Sequence, residues 1–235
     1  MEIARGCGRG CRFCLAGYVY RPAREQPLDY LLASAEAAAR RGVRKVGLVS
    51  AAVSDHTQID ELAVGLRALG LSISASSMRM DPISVPLIRG MAESGAQNLT
   101  VAPEAGSQRL RDFLRKGISL DDILNAARCL IEKEIFNLRL YFMLGLPTEE
   151  EEDIDAMIDL VKKIQHTVIG HTSGKRKFRR ITLSLNQFIP KARTPLQWCA
   201  LANVQDVGKK IKKINRAFRQ DRQIHVIADV PKWNY

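Results

Sequence analysis

The chain has 235 residues, 46% of them hydrophobic, which is enough to bury a sizeable core in a single large α/β domain. It carries neither an apolar run of the roughly 18 to 20 residues that a membrane span needs nor a signal peptide at its start, so we expect a cytoplasmic protein with no membrane partner. Five cysteines, three of them close together, argue against a disulfide framework and favour a metal or redox role.

Positive charge is concentrated in the last part of the chain. Residues 1–169 hold 21 Lys and Arg against 22 Asp and Glu, whereas residues 170–235 hold 15 against 3, so the net charges are −1 and +12. Two basic runs carry the excess, GKRKFRR and GKKIKKINRAFRQDR. The positive electrostatic field of these residues attracts RNA or another anionic partner. A solvated helix face together with a basic loop explains the same charges.

Apolar runs of strand length alternate with stretches of helical period along the chain. The predicted strands are EIAR (2–5), RKVGLVS (44–50), LSISAS (71–76), NLTVAP (98–103), NLRLYFML (137–144) and RITLSLNQFI (180–189). Helices are predicted at 27–42, 59–70, 85–95, 107–117, 119–134, 148–164 and 204–220. This alternation makes six βα units and implies parallel strands joined by right-handed crossovers.

Six units fit a partial (β/α)6 TIM-like barrel better than a complete eight-stranded one. In such folds the chemistry lies on the loops that follow the strands. The unusual stretches of this sequence all follow predicted strands: the cysteine-rich segment, SAAVSD, SMRMD, PEAGS, GLPTE and PKARTP. We therefore expect a functional rim at the carboxyl ends of the strands, although a flavodoxin-like open sheet shares the same alternation.

The stretch CGRGCRFC places Cys7, Cys11 and Cys14 on the loop after the first predicted strand. This C-x3-C-x2-C spacing lets a short loop wrap three thiolates around one metal centre, and the adjacent Arg9 and Arg12 favour the thiolate form. A structural zinc site usually takes four protein ligands, and the sequence offers no second cysteine pair or histidine nearby. A cubane iron–sulfur cluster held by three cysteines leaves one iron open for a ligand.

The same loop, with Phe13 before its last cysteine, resembles the signature of the radical SAM superfamily. The resemblance implies that Cys7, Cys11 and Cys14 hold a [4Fe-4S] cluster whose open iron binds S-adenosylmethionine (SAM). It also implies reductive cleavage of SAM to a 5′-deoxyadenosyl radical, which requires a one-electron donor such as a flavodoxin or ferredoxin. The core fold of this family is a partial (β/α)6 barrel, in agreement with the six units found above.

Three further stretches narrow the resemblance: APEAGSQRLRDFLRKGIS, LYFMLGLPTEEEEDI and FIPKARTPLQW. They are similar to the branch that contains methylthiotransferases and enzymes with an N-terminal cobalamin-binding domain. This likeness implies a transferase, acting by methylation or methylthiolation, with cobalamin supplied by a domain absent from this chain. We accordingly expect residues 1–235 to form a single radical SAM core domain, a fragment of a longer protein, with a basic part at 170–235.

The resemblance also implies a set of residues that bind SAM: Phe13, Ser77, Arg79, Glu104, Lys116, Gly145 and Pro147. Glu104 matches a residue that faces the ribose or the methionine end of SAM, and Lys116 falls where relatives place a basic residue near the SAM carboxylate. Gly145 and Pro147 resemble a turn whose backbone approaches adenine. The residues alone also fit a purely structural explanation. In that case Arg79 and Lys116 form ion pairs at the surface, and Pro147 begins a helix.

One stretch departs from the family pattern. Relatives commonly carry a Gly-Gly-Glu-like segment after the second strand, which holds the SAM amino group, whereas this chain has SAAVSD there. Ser50, Ala51 and Ala52 are small enough for their backbone carbonyls to approach a ligand. Asp55 is the acid that would replace the missing glutamate.

Two cysteines lie outside the loop. Cys129, in the predicted helix 119–134, is expected to be a small buried residue. Cys199 follows the last predicted strand and lies nearer the expected rim, which makes it a catalytic candidate for covalent catalysis or an auxiliary ligand.

The residues alone also permit a second functional hypothesis, a nucleic-acid-binding module with a structural metal site. Three clustered cysteines and a net charge of +12 in residues 170–235 fit both that module and an enzyme that cleaves SAM. Radical chemistry and a basic surface are compatible, because several radical SAM proteins modify tRNA. Neither fold nor cofactor identifies the substrate.

Overall fold

A computed structural model describes residues 1–75, 78–81, 83–170 and 178–231 of the chain. The strands are β1 (Ala4–Arg5), β2 (Arg24–Glu25), β3 (Lys45–Leu48), β4 (Ser72–Ala75), β5 (Asn98–Glu104), β6 (Asn137–Leu144), β7 (Arg180–Gln187) and β8 (Ile224–Ala228). The helices are α1 (Ala16–Val19), α2 (Leu28–Arg40), α3 (Ile59–Ala68), α4 (Val85–Glu93), α5 (Gln108–Phe113), α6 (Leu120–Glu132), α7 (Glu151–Gly170) and α8 (Val204–Phe218). From β3 onwards, strands and helices alternate as predicted.

The strands pair mainly in parallel and in chain order. β3 pairs with β4, and β5, β6, β7 and β8 form a continuous parallel sheet. β1 adjoins β3 through a parallel bridge between Glu2 and Val49, while the short β2 runs antiparallel to β1. Sequential parallel strands with intervening helices bring the carboxyl ends of the strands to one rim.

Side chains alternate along the strands between the helix layer and an inner face. In β6, Leu138, Leu140, Phe142 and Leu144 are buried, whereas Tyr141 on the other face is half-buried. The same period of two occurs in β5 and β7. The buried face packs with the helices in one hydrophobic core, so the opposite face remains accessible to a ligand near the rim.

The six predicted strands are confirmed, and the structure adds β2 and β8. The first strand is reduced to Ala4–Arg5 with a bridge at Glu2. β8 was not predicted from the sequence because His225 interrupts its apolar run. Its parallel pairing with β7 extends the sheet beyond the sixth unit.

The predicted helix at 148–164 begins later than expected. α7 begins at Glu151 and runs for 20 residues to Gly170, and Thr148 has a φ of 63° in the preceding turn. Pro147 therefore belongs to the rim loop and is not the start of a helix. Within the described ranges, neither α7 nor any other helix is long and apolar enough to cross a membrane.

Candidate cofactor site at the rim

The cysteine loop lies between β1 and α1, at the rim. Cys11 is buried, Cys7 and Cys14 are half-buried, and all three are free thiols. The Cys14 N–H donates to the Cys11 carbonyl over 3.0 Å, and the Arg12 N–H donates to the carbonyl of Leu114 over 2.9 Å. The first bond forms a tight turn and the second ties the loop to the end of α5, so the backbone around the last two cysteines is fixed.

Cys11 lies in a positively charged environment. Burial raises the pKa of its thiol, and the charges of Lys116 and Arg79 oppose that rise. The cations that favour a thiolate at Cys11 therefore come from two distant segments rather than from the adjacent arginines that the sequence indicated. A bound metal would stabilise the thiolate that burial disfavours.

The donor set of the loop consists of three cysteine thiols, which is the set that a [4Fe-4S] cluster with one open iron would use. Among the described residues, no three Cys, His, Asp or Glu side chains converge as the ligands of one ion would. The ligands of a [4Fe-4S] cluster lie further apart, because each cysteine binds a different iron of the cubane. Three free thiols on one loop match a cluster that keeps one open iron.

Glu104 and Lys116, both predicted to bind SAM, form a buried ion pair beside the cysteine loop. The Lys116 Nζ donates to the Glu104 Oε1 over 3.0 Å, and the two side chains are 10% (Lys116) and 13% (Glu104) exposed. The same Nζ lies 5.9 Å from the centre of the Phe13 ring. Glu104 has a φ of 70° at the end of β5, a conformation that costs about 1 to 3 kcal/mol and is concentrated at functional sites. Three predicted SAM-binding residues thus meet in one place.

Arg79 is buried and belongs to the same group of side chains. Its guanidinium donates to the carbonyl of Lys116 over 2.6 Å and pairs with Asp81 at 2.8 Å. Its backbone N–H donates to the Ser54 Oγ over 2.9 Å. Arg79 is therefore not a surface ion pair. Ser77, the other candidate of the SMRMD region, lies outside the described residues.

A cavity of about 210 Å³ separates the cysteine loop from the SAAVSD loop. Its lining includes Cys7, Ser50, Ala52 and Asp55. Ala51 lies between them in sequence and is exposed. Both carboxylate oxygens of Asp55 accept hydrogen bonds from Arg9, at 2.9 and 3.0 Å. The acid that the sequence indicated for the SAM amino group is thus paired with an arginine of the cysteine loop.

The GLPTE turn after β6 is held by the buried side chain of Glu149. Its Oε1 accepts from the Gly145 N–H over 3.0 Å and pairs with the Lys210 Nζ at 2.5 Å, and its side chain is only 2% exposed. Gly145 has a φ of 74°, and a Cβ there would lie 2.6 Å from the Cβ of Ala202. Only glycine fits this position, for a reason internal to the chain. Contact of Gly145 and Pro147 with adenine stays a prediction.

The two other cysteines differ in their surroundings. Cys129 is half-buried in α6 against the main core, and burial raises the pKa of its thiol. Cys199 is half-buried and packs, together with Phe13, against a separate apolar cluster at the rim. The buried members of this rim cluster are Ala105, Leu110, Leu114, Leu146, Phe188 and Leu196. Cys199 thus lies at the rim cluster, and its catalytic role stays a prediction.

A family model described as the radical SAM superfamily matches residues 1–161. This range contains the cysteine loop, Glu104 and Lys116. The chain belongs to the radical SAM superfamily. Members of this superfamily use a [4Fe-4S] cluster and SAM, so the cofactor class predicted from the cysteine spacing agrees with the family.

Two relatives match most of this radical SAM domain. It is 39% identical over 224 residues to an uncharacterised protein of Methanocaldococcus jannaschii, covering 94% of this chain and 47% of that protein. It is 22% identical over 176 residues to the threonylcarbamoyladenosine tRNA methylthiotransferase MtaB of Aquifex aeolicus, covering 70% of this chain and 42% of that enzyme. The radical SAM domain thus spans less than half the length of either relative.

A solved structure of similar fold is the radical SAM methyltransferase TsrM of Kitasatospora setae, determined with cobalamin and a [4Fe-4S] cluster bound. The TM-score is 0.63 at 15% identity, covering 84% of this chain and 38% of that one. At this identity the likeness shows the fold, and it confirms the predicted α/β partial (β/α)6 barrel. The methylthiotransferase match agrees with the branch that the sequence indicated.

A cavity of about 350 Å³ on the inner face of the radical SAM domain was not predicted from the sequence. Its lining includes Phe13, Glu104, Tyr141, Met143, Asn186, Lys191 and Asp229. The period of two along β6 and β7 is the signal that would have found Tyr141 and Asn186, because both lie on the inner face of their strands.

Arg111 was also missed. It is 2% exposed and donates to the carbonyls of Ala105, Gly106 and Ile118, at 3.2, 2.7 and 3.0 Å. It therefore joins the loop that follows Glu104 to the loop that carries Lys116. No local pattern distinguishes the buried Arg111 from the exposed Arg109 of the same short helix.

Proposed function

We propose that this chain is the catalytic core of a radical SAM enzyme in which Cys7, Cys11 and Cys14 hold a [4Fe-4S] cluster. The proposal rests on one observation: the cysteine loop and the buried Glu104–Lys116 pair lie together at the same rim. When bound, the cluster would supply the electron that cleaves SAM to a 5′-deoxyadenosyl radical, the chemistry common to the superfamily.

In this proposal the side chains at the rim orient SAM. Lys116 attracts the SAM carboxylate, and Glu104 attracts the amino group or the ribose hydroxyls. Because the two residues neutralise each other without SAM, neither is left as an unpaired buried charge before binding. The small residues 50–52 leave nearby backbone open to the ligand, and the turn at Gly145 and Pro147 would approach adenine.

The transferred group is proposed from the branch of the superfamily. The matches to a methylthiotransferase and to a methyltransferase support transfer of a methyl or methylthio group, with cobalamin held by another domain. A flavodoxin or ferredoxin would donate the electron. The acceptor would enter the cavity of about 350 Å³ next to Phe13 and Glu104.

Anaerobic reconstitution tests the cluster and the cleavage together. We expect about four irons per wild-type chain, and release of 5′-deoxyadenosine from SAM after reduction with dithionite. Cys11→Ser should lose both properties, whereas the matched control Cys129→Ser, at a half-buried cysteine of α6, should keep both. A Cys11→Ser protein that retains the cluster and the cleavage would overturn the assignment.

The alternative, a nucleic-acid-binding module with a structural metal site, predicts a different outcome. Zinc retained in stoichiometric amount under air, together with no SAM binding, would favour that module. The matches reported above are to radical SAM proteins and support the enzyme.

The basic charge of α8 falls into two groups, and one of them is neutralised within the chain. Lys210 pairs with Glu149 at 2.5 Å, and Lys213 pairs with Glu151 and Asp155 at 2.9 and 2.7 Å. These contacts join α8 to α7 and its preceding turn. Lys210 and Lys213, two of the fifteen basic residues counted at 170–235, therefore pair with acids of the chain itself.

The second group supports an RNA substrate or partner. Lys212, Arg216 and Arg219 lie at helical spacing on one face of α8 and are exposed. With Asn215 and His225 they line a cleft of about 590 Å³. We propose that this basic stripe contacts the phosphates of an RNA, which the tRNA methylthiotransferase relative also favours. The other basic run, at 174–180, lies mostly outside the described residues.

Binding of unfractionated tRNA, followed by fluorescence anisotropy against salt, tests the stripe. The variant K212Q/R216Q/R219Q should bind about tenfold more weakly, with a salt slope reduced by about 2 because two to three phosphate contacts are lost. The control K162Q/K163Q/R41Q removes equal charge from exposed positions on other helices. Equal loss in both variants, or a wild-type chain that does not bind tRNA, would contradict the proposal.

A further inference from the structure

Arg9 connects the cysteine loop to two other loops of the rim. Its guanidinium donates to both carboxylate oxygens of Asp55, at 2.9 and 3.0 Å, and to the side chain and backbone carbonyl of Asp81, at 3.3 and 3.1 Å. Asp55 belongs to the loop after β3, and Asp81 follows β4. One side chain between Cys7 and Cys11 thus ties three loops together.

Arg9 lies between two glycines, Gly8 and Gly10, and their flexibility explains why the loop needs the contact between Arg9 and Asp55. A Cβ placed on Gly8 or Gly10 would meet no atom within 4 Å, so neighbouring atoms leave room for a side chain at both positions. Glycine loses more conformational entropy on ordering than any other residue. The pair between Arg9 and Asp55, with side chains 35% and 23% exposed, offsets that cost, since a bidentate charge-assisted contact fixes orientation as well as distance.

Asp81 extends the contact towards the Glu104–Lys116 pair. Its carboxylate is shared between Arg9 and Arg79, and Arg79 in turn donates to the carbonyl of Lys116 over 2.6 Å. Hydrogen bonds therefore run from the cysteine loop to the segment that carries Lys116. Acid and cation alternate from Asp55 through Arg9 and Asp81 to Arg79, and the path then ends on the backbone carbonyl of Lys116.

We infer that Arg9 and Asp55 are positioning residues that hold the cysteine loop in the shape that receives the cluster, and that Asp55 does not bind the SAM amino group. Both oxygens of Asp55 already accept from Arg9, so an amino group at Asp55 would compete with the contact that fixes the loop. The inference rests on the proposed function, because it requires a cluster at the three loop cysteines.

Variants of the two partners separate loop positioning from SAM binding. Arg9→Gln, Arg9→Lys, Asp55→Asn and the double variant Arg9→Gln/Asp55→Asn are reconstituted anaerobically, and the half-life of the cluster absorbance is measured with an iron chelator present. The matched control Arg12→Gln removes the same charge from the same loop, where the Arg12 side chain lies 5.5 Å from the centre of the Phe113 ring. The dissociation constant for SAM is measured on protein that retains the cluster.

We expect Arg9→Gln and Asp55→Asn each to shorten the half-life about five- to tenfold, as loss of a half-buried ion pair implies, and the double variant to be no worse than either single one. Arg9→Lys should recover part of the loss, and Arg12→Gln should stay within about twofold of wild type. SAM affinity of cluster-loaded Asp55→Asn should also change less than about twofold.

Two results would overturn the inference. One is an Asp55→Asn protein with a wild-type cluster half-life and SAM binding weakened about tenfold or more. The other is an Arg9→Gln protein that loses its cluster no faster than Arg12→Gln. If Arg9→Gln does not fold, the near-isosteric Asp55→Asn and the charge-preserving Arg9→Lys carry the same test. A wild-type chain that assembles no cluster would instead overturn the proposed function.

Discussion

Two regions of the rim are stabilised by different interactions, ion pairs in one and apolar packing in the other. Next to Cys7, the partly exposed ion pairs of Arg9 with Asp55 and Asp81 connect the loops, and Asp81 continues to the buried Arg79. Further along the rim, the loops after β5, β6 and β7 form the apolar rim cluster, against which Phe13 also packs, and the carboxylate of Glu149 is almost completely buried.

This difference separates stability from cofactor retention. Buried apolar contacts contribute most of the free energy of unfolding, whereas partly exposed ion pairs contribute little and are weakened by salt. The ion pairs of Arg9 hold the part of the loop near Cys7, whereas backbone hydrogen bonds and the packing of Phe13 hold the part around Cys11 and Cys14. We therefore expect substitutions on the packed side to lower stability, and substitutions beside the cysteine loop to lower cluster retention.

The largest expected effect is on the packed side, at Leu114. This residue is 0% exposed and belongs to the rim cluster. Leu114→Ala should lower the free energy of unfolding of the metal-free protein by about 3 kcal/mol, because it removes buried methyl groups and leaves a cavity. Urea unfolding followed by circular dichroism measures the loss.

The control for Leu114 is Val64→Ala, since Val64 is 52% exposed on α3. It should change the free energy of unfolding by less than about 0.5 kcal/mol. A loss below about 1 kcal/mol at Leu114 would show that the rim cluster is not what stabilises this side.

A smaller effect is expected at Glu149. Glu149→Gln should cost about 2 kcal/mol of unfolding free energy, because it leaves the largely buried Lys210 without its charged partner. Glu152→Gln removes the same charge from an exposed position in the first turn of α7 and should be nearly neutral in thermal and urea unfolding. Equal losses in the two variants would mean that net charge, and not the buried pair, is responsible.

The smallest effect on stability is expected at Arg9. Its side chain is 35% exposed, so Arg9→Gln should lower the unfolding free energy of the metal-free protein by no more than about 1 kcal/mol. The difference from wild type should disappear in about 1 M KCl, where the Debye length is about 3 Å. A larger loss that persists at high salt would show that the two sides of the rim do not differ as described.

Most of the fold was predictable because its signals are local. In β6, buried and half-buried side chains alternate as the sequence pattern requires, and Gly42, predicted to end α2, has a φ of 89° just after it. β8 was missed because the polar His225 interrupts its apolar run directly after Ile224. The start of α7 was misplaced because Glu149, a good residue for a first helical turn, binds the Gly145 N–H instead.

The sequence by itself determined the number and spacing of the cysteines, since all three lie within one contiguous segment whose pattern is specific. Its resemblance to a family also indicated Glu104 and Lys116. Only the tertiary structure decided that these two pair with each other, and that Asp55 pairs with Arg9, 46 residues away. The physical reason is that an ion pair depends on distance in space, which the order of strands around the rim sets and a local pattern does not contain.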